Sequence, residues 1–209
     1  MGYKRYFTSL GRFWLLSLVP FSMLLSGIAV AQSAPPPKSL IDDKAIADVR
    51  TWLDNPVVAI SLNAQNKKYA TISQSEVDEL DKQWRAERES DDQPLIAAIL
   101  SSPLSNYLTQ IQAASGGLWT EIFVMDAKGL NVGQSSITSD FWQGDEAKFQ
   151  KTFMQGSDAV FVDDPEFNEG SKTWRAQLNF TLTDSSGKPV GAVTVEYNLT
   201  ELERRKSAS

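Results

Sequence analysis

The apolar and polar positions divide this chain into two halves of different period. In the first half apolar residues recur at helical spacing. Ile41, Ala45, Val49 and Trp52 follow Ser39-Leu40-Ile41-Asp42, which reads as an N-cap with an acid three residues on. Asn55-Pro56 predicts the stop of that helix, and a second apolar piece runs over 57–62. Ser73 or Ser75 predicts the cap of a further helix with Val77, Leu80 and Trp84 on one stripe. Its remaining positions, Glu76, Asp78, Glu79, Asp81, Lys82 and Arg85, read as a solvated face. Pro94 restarts a helix at Leu95, and Leu104, Tyr107, Leu108 and Ile111 mark an amphipathic helix after Pro103.

Ser115-Gly116-Gly117 breaks this pattern, and strands follow. Residues 119–125 are rich in β-formers and lead into Asp126-Ala127-Lys128-Gly129, a turn with glycine available for positive φ. Residues 130–136 return as the partner strand. A loop and a short helix over about 145–153 come next, then a strand over 159–162. Asp163-Asp164-Pro165-Glu166 reads as a solvated turn, because it lacks the glycine and the evenly spaced oxygen ligands of a calcium loop. Trp174, Ala176, Leu178, Phe180 and Leu182 alternate with Arg175, Gln177, Asn179, Thr181 and Thr183, the period of a strand. After the turn at 184–188 the chain comes back over 190–197, with Val193, Val195 and Tyr197 on one face, and a terminal helix spans about 199–206. Helices followed by a run of strands predict an α+β domain built on a five-stranded antiparallel sheet.

The N-terminus reads as an export signal. Lys4, Arg5 and Arg12 precede an apolar run over 13–28 that closes on Ala29-Val30-Ala31, the small-x-small pattern of a cleavage site. The expected cut follows Ala31, which makes the mature protein periplasmic; the alternative is an uncut signal that anchors it. A proline-rich leader, 32–39, then precedes one domain over 40–201 and a tail over 202–209. Loss of the three basic residues of the signal takes the net charge from −6 to −9, a surface that repels nucleic acid. There is no cysteine, which excludes disulfides, thiolate metal sites and a cysteine nucleophile. There is no histidine either, which removes the commonest general base and the Ser-His-Asp triad. An enzyme would have to work with carboxylates, Lys, Ser or Tyr alone, for example as a glycosidase using two acids. The chain shows no cleft-forming repeat, so it reads as a non-enzyme, with no cofactor and no metal implied. The glycosylation patterns Asn179-Phe180-Thr181 and Asn198-Leu199-Thr200 lie in or beside predicted strands and carry no weight.

The order of elements, the Asp126-x-x-Gly129 turn, the closing "GKPVGAVTVEYNL" and above all "DFWQGDEAKFQKTF" at 140–153 together resemble a known family. It is the Cache superfamily of PAS-like extracytoplasmic sensor domains, in its stand-alone, single-Cache form. The resemblance spans about residues 40–201. It implies a sheet with a ligand pocket on one face and the N-terminal helix on the other. Cache domains usually sit between two membrane spans and drive a kinase, a chemotaxis output or a cyclase. The sequence reads as carrying no second span and no output domain, so its signal is expected to leave through another protein, such as a membrane receptor. Pairing of the N-terminal helices into a homodimer is left open.

In that architecture the polar row Arg175, Gln177 and Asn179 lines a loop-covered cavity. Trp142 closes the cavity as an apolar wall, and Asp140 and Arg175 hold a charged ligand, an amino acid, organic acid or amine. The alternative is an interaction module with no small ligand, in which Trp142 plugs the core edge and Asp140 caps a turn.

Overall fold

The structure is a computed structural model and describes residues 34–208. The predicted export signal and its cut site lie outside the described residues. Helix α1 (Asp43–Leu53) starts after Asp42, whose side chain accepts from Ala45 N, rather than after Ser39. Asn55-Pro56 ends α1 and also opens the next helix, α2 (Pro56–Lys68), with the Asn55 side chain accepting from Val57 N. Proline at the first helical position loses an N–H that has no partner there anyway, so the same dipeptide both stops and starts. Helix α3 (Gln74–Glu87) opens on a capping box in which Ser73 and Glu76 satisfy each other's backbone N–H. Prolines also open α4 (Pro94–Leu100) and α5 (Pro103–Ala114).

The second half forms one antiparallel sheet from β1 (Trp119–Asp126), β2 (Asn131–Gln134), β3 (Val160–Val162), β4 (Glu166–Asn168), β5 (Thr173–Thr183) and β6 (Pro189–Asn198). The order is β2-β1-β6-β5-β3, and β4 also pairs with β5. The fold is therefore α+β, as the pattern predicts, with six strands in place of five. The extra strand is β4, which begins at Glu166, where a solvated turn was expected. β3 pairs with residues 178–180 of β5 and β4 with residues 173–175. Between them lies Pro165, which has no N–H for a ladder and splits one edge into two short strands. At the β1–β2 turn the Asp126 carboxylate accepts from Lys128 N and Leu130 N, and Gly129 takes φ +83°. Burial raises the Asp126 carboxyl above its usual range.

Alternation on β5 and β6 sends one row to each face of the sheet. The first face carries Ala176, Leu178, Phe180, Val193, Val195 and Tyr197, with Ile122 and Val124 from β1. Val49, Leu62, Leu104 and Leu108 from α1, α2 and α5 cover it, as does Leu202 from the terminal helix. Each such side chain, fully buried, contributes about 1.5–3 kcal/mol. Tyr197 donates to Ala45 O at 3.2 Å, and burial pushes its phenol up to about 12. The second face carries Arg175, Gln177, Asn179, Thr194, Glu196 and Glu121 beside Phe123 and Met125. It is covered by α6 (Ala147–Gln150) and the 3-10 turn that follows it. Phe149 and Phe153, stacked with centroids 5.0 Å apart, seat that cover on Phe123, Met125 and Ala192. A separate small core joins Val77, Trp84 and Ile96 of α3 and α4 to Leu130 and Phe141. The remaining helix, α7 (Leu199–Ser207), follows β6 directly.

Candidate functional site

A hollow of about 200 Å³ lies between α6 and the second face of the sheet. Its floor comes from neighbouring strands in register. Gln177 stands opposite Glu196, and Glu196 opposite Glu121, so one line of polar side chains crosses β5, β6 and β1. Arg175 projects beside that line. Its Nη1 donates to Glu196 Oε1 at 2.8 Å and its Nη2 to Ser171 Oγ at 3.2 Å, while its buried Nε has no partner. From above, α6 lowers Lys148, whose side chain is only 12% exposed and pairs with Glu146 at 2.7 Å. The Lys148 ammonium also lies 5.5 Å from the centre of the Phe123 ring, a cation–π distance.

Acids outnumber bases around this hollow. Glu146, Asp163, Asp164, Glu166 and Glu196 line it, against Lys148 and Arg175. Glu121 adds a further carboxylate at the end of the line. Burial and the facing Glu196 push its carboxyl up to about 7, and Ser136 Oγ donates to it at 3.1 Å. Glu196 is held by Arg175 and by the Thr120 hydroxyl. The arrangement therefore offers a cationic edge at Arg175 and Lys148 and an anionic edge at Glu196, beside which Glu121 holds its proton up to about pH 7. Those are the two ends that a small zwitterion requires.

The structure brings together some of the residues predicted from the sequence and separates others. Arg175 and Gln177 line the hollow. Asn179 shares their face but is sealed beneath it. It is fully buried, donates to Phe161 O at 3.2 Å and accepts from Thr194 Oγ1 at 2.7 Å. Trp142 and Asp140 are elsewhere, and the expectation that Trp142 roofs the Arg175 hollow is corrected: α6 is the roof. The loop turns instead against α3. There Asp81, 4% exposed, accepts from Phe141 N at 2.9 Å and Trp142 N at 3.0 Å and pairs with Arg85. Arg85 in turn reaches Asp140 at 3.2 Å, so Asp140 engages Arg85 and not Arg175. Trp142 Nε1 donates to Lys128 O at 2.8 Å, and its indole lies on Gly144, where any Cβ would overlap the ring. Asp140 and Trp142 line a separate concavity of about 190 Å³ with Asp78, Asp81 and Asp145.

Asp81 also corrects the reading of α3 as charged surface. It lies four residues after Val77 and three before Trp84, on the buried stripe itself. Spacing alone marked it as an inward acid. Glu196 and Glu121 carried a similar signal, since both alternate with core residues on their strands. Lys148 carried none, because its position depends on how α6 docks.

No protein-family model matches the chain, and no curated protein sequence matches it. Solved structures give partial overlaps. The ligand-binding domain of the Pseudomonas aeruginosa amino acid chemoreceptor PctC, in complex with GABA, is similar at TM-score 0.39 and 13% identity, over 76% of this chain and 62% of that one. The ligand-binding domain of the Campylobacter jejuni chemoreceptor Tlp3, with 4-methylisoleucine, gives 0.37 and 14%, over 74% and 65%. The sensor domain of Escherichia coli DcuS gives 0.38 and 17%, over 62% and 96%. The chain spans less than two thirds of the length of the two chemoreceptor domains.

Proposed function

We propose that this protein is an exported, small-molecule-binding sensor module whose ligand sits between α6 and the Arg175–Glu196 face of the sheet. The observation that carries this reading is the convergence of Arg175, Lys148, Glu121 and Glu196 under one cover, with a buried guanidinium N–H left to be met. Within the class of amino acids, organic acids and amines, the two edges favour an amino acid, its carboxylate toward Arg175 and Lys148 and its ammonium toward Glu196. A volume of about 200 Å³ falls below the roughly 300–1,000 Å³ of pockets for drug-sized ligands, which supports a compact metabolite. In this reading the occupied module is presented to a membrane receptor outside the cytoplasm, in keeping with the predicted export signal.

Isothermal titration of the purified protein against amino acids, organic acids and amines tests the site. Arg175→Ala is expected to weaken binding at least about tenfold, by loss of a charge-assisted hydrogen bond. Trp142→Ala is expected to leave affinity within about twofold. Absence of any ligand across the panel, or loss of binding in Trp142→Ala with Arg175→Ala unaffected, contradicts the proposal.

A second reading, an interaction module with no small ligand, draws on the packed state of Trp142 and on an open apolar concavity of about 600 Å³. That concavity runs along α3, where Tyr69, Ile72, Leu80 and Ala86 are rimmed by Glu76, Glu79 and Lys82. Capture of a partner from an envelope fraction that Leu80→Asp abolishes and Arg175→Ala does not would favour it.

A further inference from the structure

The other face of β5 carries a larger concavity. It measures about 440 Å³ and lies between the end of α1, the first turns of α2 and the tip of the β5–β6 hairpin. Its volume lies inside the roughly 300–1,000 Å³ range of small-molecule pockets, which the Arg175 hollow does not reach. Its floor is apolar. Val58, Leu62 and Phe180 are buried, and Leu182 and Val190 are partly so.

The rim has one group of a different kind. The Arg50 guanidinium stands 4.7 Å over the centre of the Phe180 ring, on the cavity wall. Arg50 is exposed, and no carboxylate among the described residues pairs with it. Stacking on an aromatic face fixes the plane of a guanidinium and leaves its N–H edge free to accept a planar anion in bidentate fashion. Two acids share the rim. Asp184 is spent on its own turn, where Ser186 N, Ser186 Oγ and Lys188 N donate to it. Asp54, at the end of α1, adds a negative charge that opposes a second anionic group on any occupant.

We propose that this concavity is a second binding site, selective for a small monocarboxylate with an apolar body, whose carboxylate is held by Arg50 and whose body lies on Val58, Leu62, Leu182 and Val190. The site is independent of the Arg175 hollow. Its occupant bridges α1, α2 and the hairpin, the last two of which are already joined by Asn66 Nδ2 donating to Val190 O at 2.7 Å.

Titration with octanoate, 1-octanol and octanedioate tests this on the purified protein. Octanoate is expected to bind at least about tenfold more tightly than either of the other two. Arg50→Gln removes that preference, and Ala59→Phe, which fills the cavity from an exposed rim position, abolishes binding. Arg175→Ala leaves octanoate binding unchanged, and this separates failure here from failure of the first site. Circular dichroism confirms that each variant is folded. No octanoate binding at millimolar concentration, equal affinity for octanol, or binding retained in Ala59→Phe overturns the proposal.

Discussion

Glu121 ends the polar line that floors the first hollow. It lies in register with Glu196, has Ser136 as its hydrogen-bonding partner and holds its proton up to about pH 7. The ordinary value for the same group in the unfolded chain is 4.5. Between those two pH values the unfolded state has released the proton and the folded state has not, so stability falls as pH rises through this window and is level above it. The loss is on the order of 3 kcal/mol. Glu121→Gln keeps the shape and removes the ionisation. Urea unfolding is expected to show the variant more stable than the wild type at pH 8 and nearly equal at pH 4.5; equal stability at both values would refute this. At this scale alternation made Arg175 and Gln177 legible as one polar row on β5, but not as the lining of a covered hollow. The destination of Trp142 was not legible, because its backbone is held by Asp81, about sixty positions away on a helix face that read as solvated. An acid on an apolar stripe looks like a flaw in the pattern until the two N–H groups that it satisfies are known.

Among the elements, α4 shows how helices here are capped from a distance. Its N-cap, Gln93, makes no side-chain cap, yet Leu95 N and Ile96 N both donate to Glu87 Oε2, at 2.8 and 2.9 Å. Glu87 is 6% exposed and belongs to α3, so one carboxylate ties two helices and lies at the positive end of the second. Glu87→Ala is expected to cost about 1–2 kcal/mol in urea unfolding. A cost below about 0.5 kcal/mol would mean that water replaces it fully. The starts of α3, α4 and α5 were readable because serine and proline signal them locally, whereas Ser39 misplaced the start of α1 and Asn55-Pro56 read only as a stop. β4 was missed because three residues are too few for a period, and its existence depends on the free edge of β5 rather than on its own side chains.

For the whole molecule the class was visible from the switch of period at Ser115-Gly116-Gly117, and alternation on β5 already assigned the two faces of the sheet. What covers each face was not visible, since docking is decided by residues far apart in sequence. Of the three apolar clusters, the one around Trp84 and Phe141 holds α3 and α4 against the loop. Native-state hydrogen exchange is expected to find α3 and α4 amides exchanging at least about tenfold faster than those of β1, β5 and β6. Equal protection would show that the molecule opens only as a unit.

β5 is a single extended segment with Arg175 and Gln177 on one side and Phe180 and Leu182 on the other, so the two chambers stand back to back on one polypeptide. Sliding it by one position against β6 would trade their linings, turning the charged chamber greasy and the greasy one charged. Ligand selectivity and the integrity of the interior are thus written in the same alignment, and neither can drift without the other.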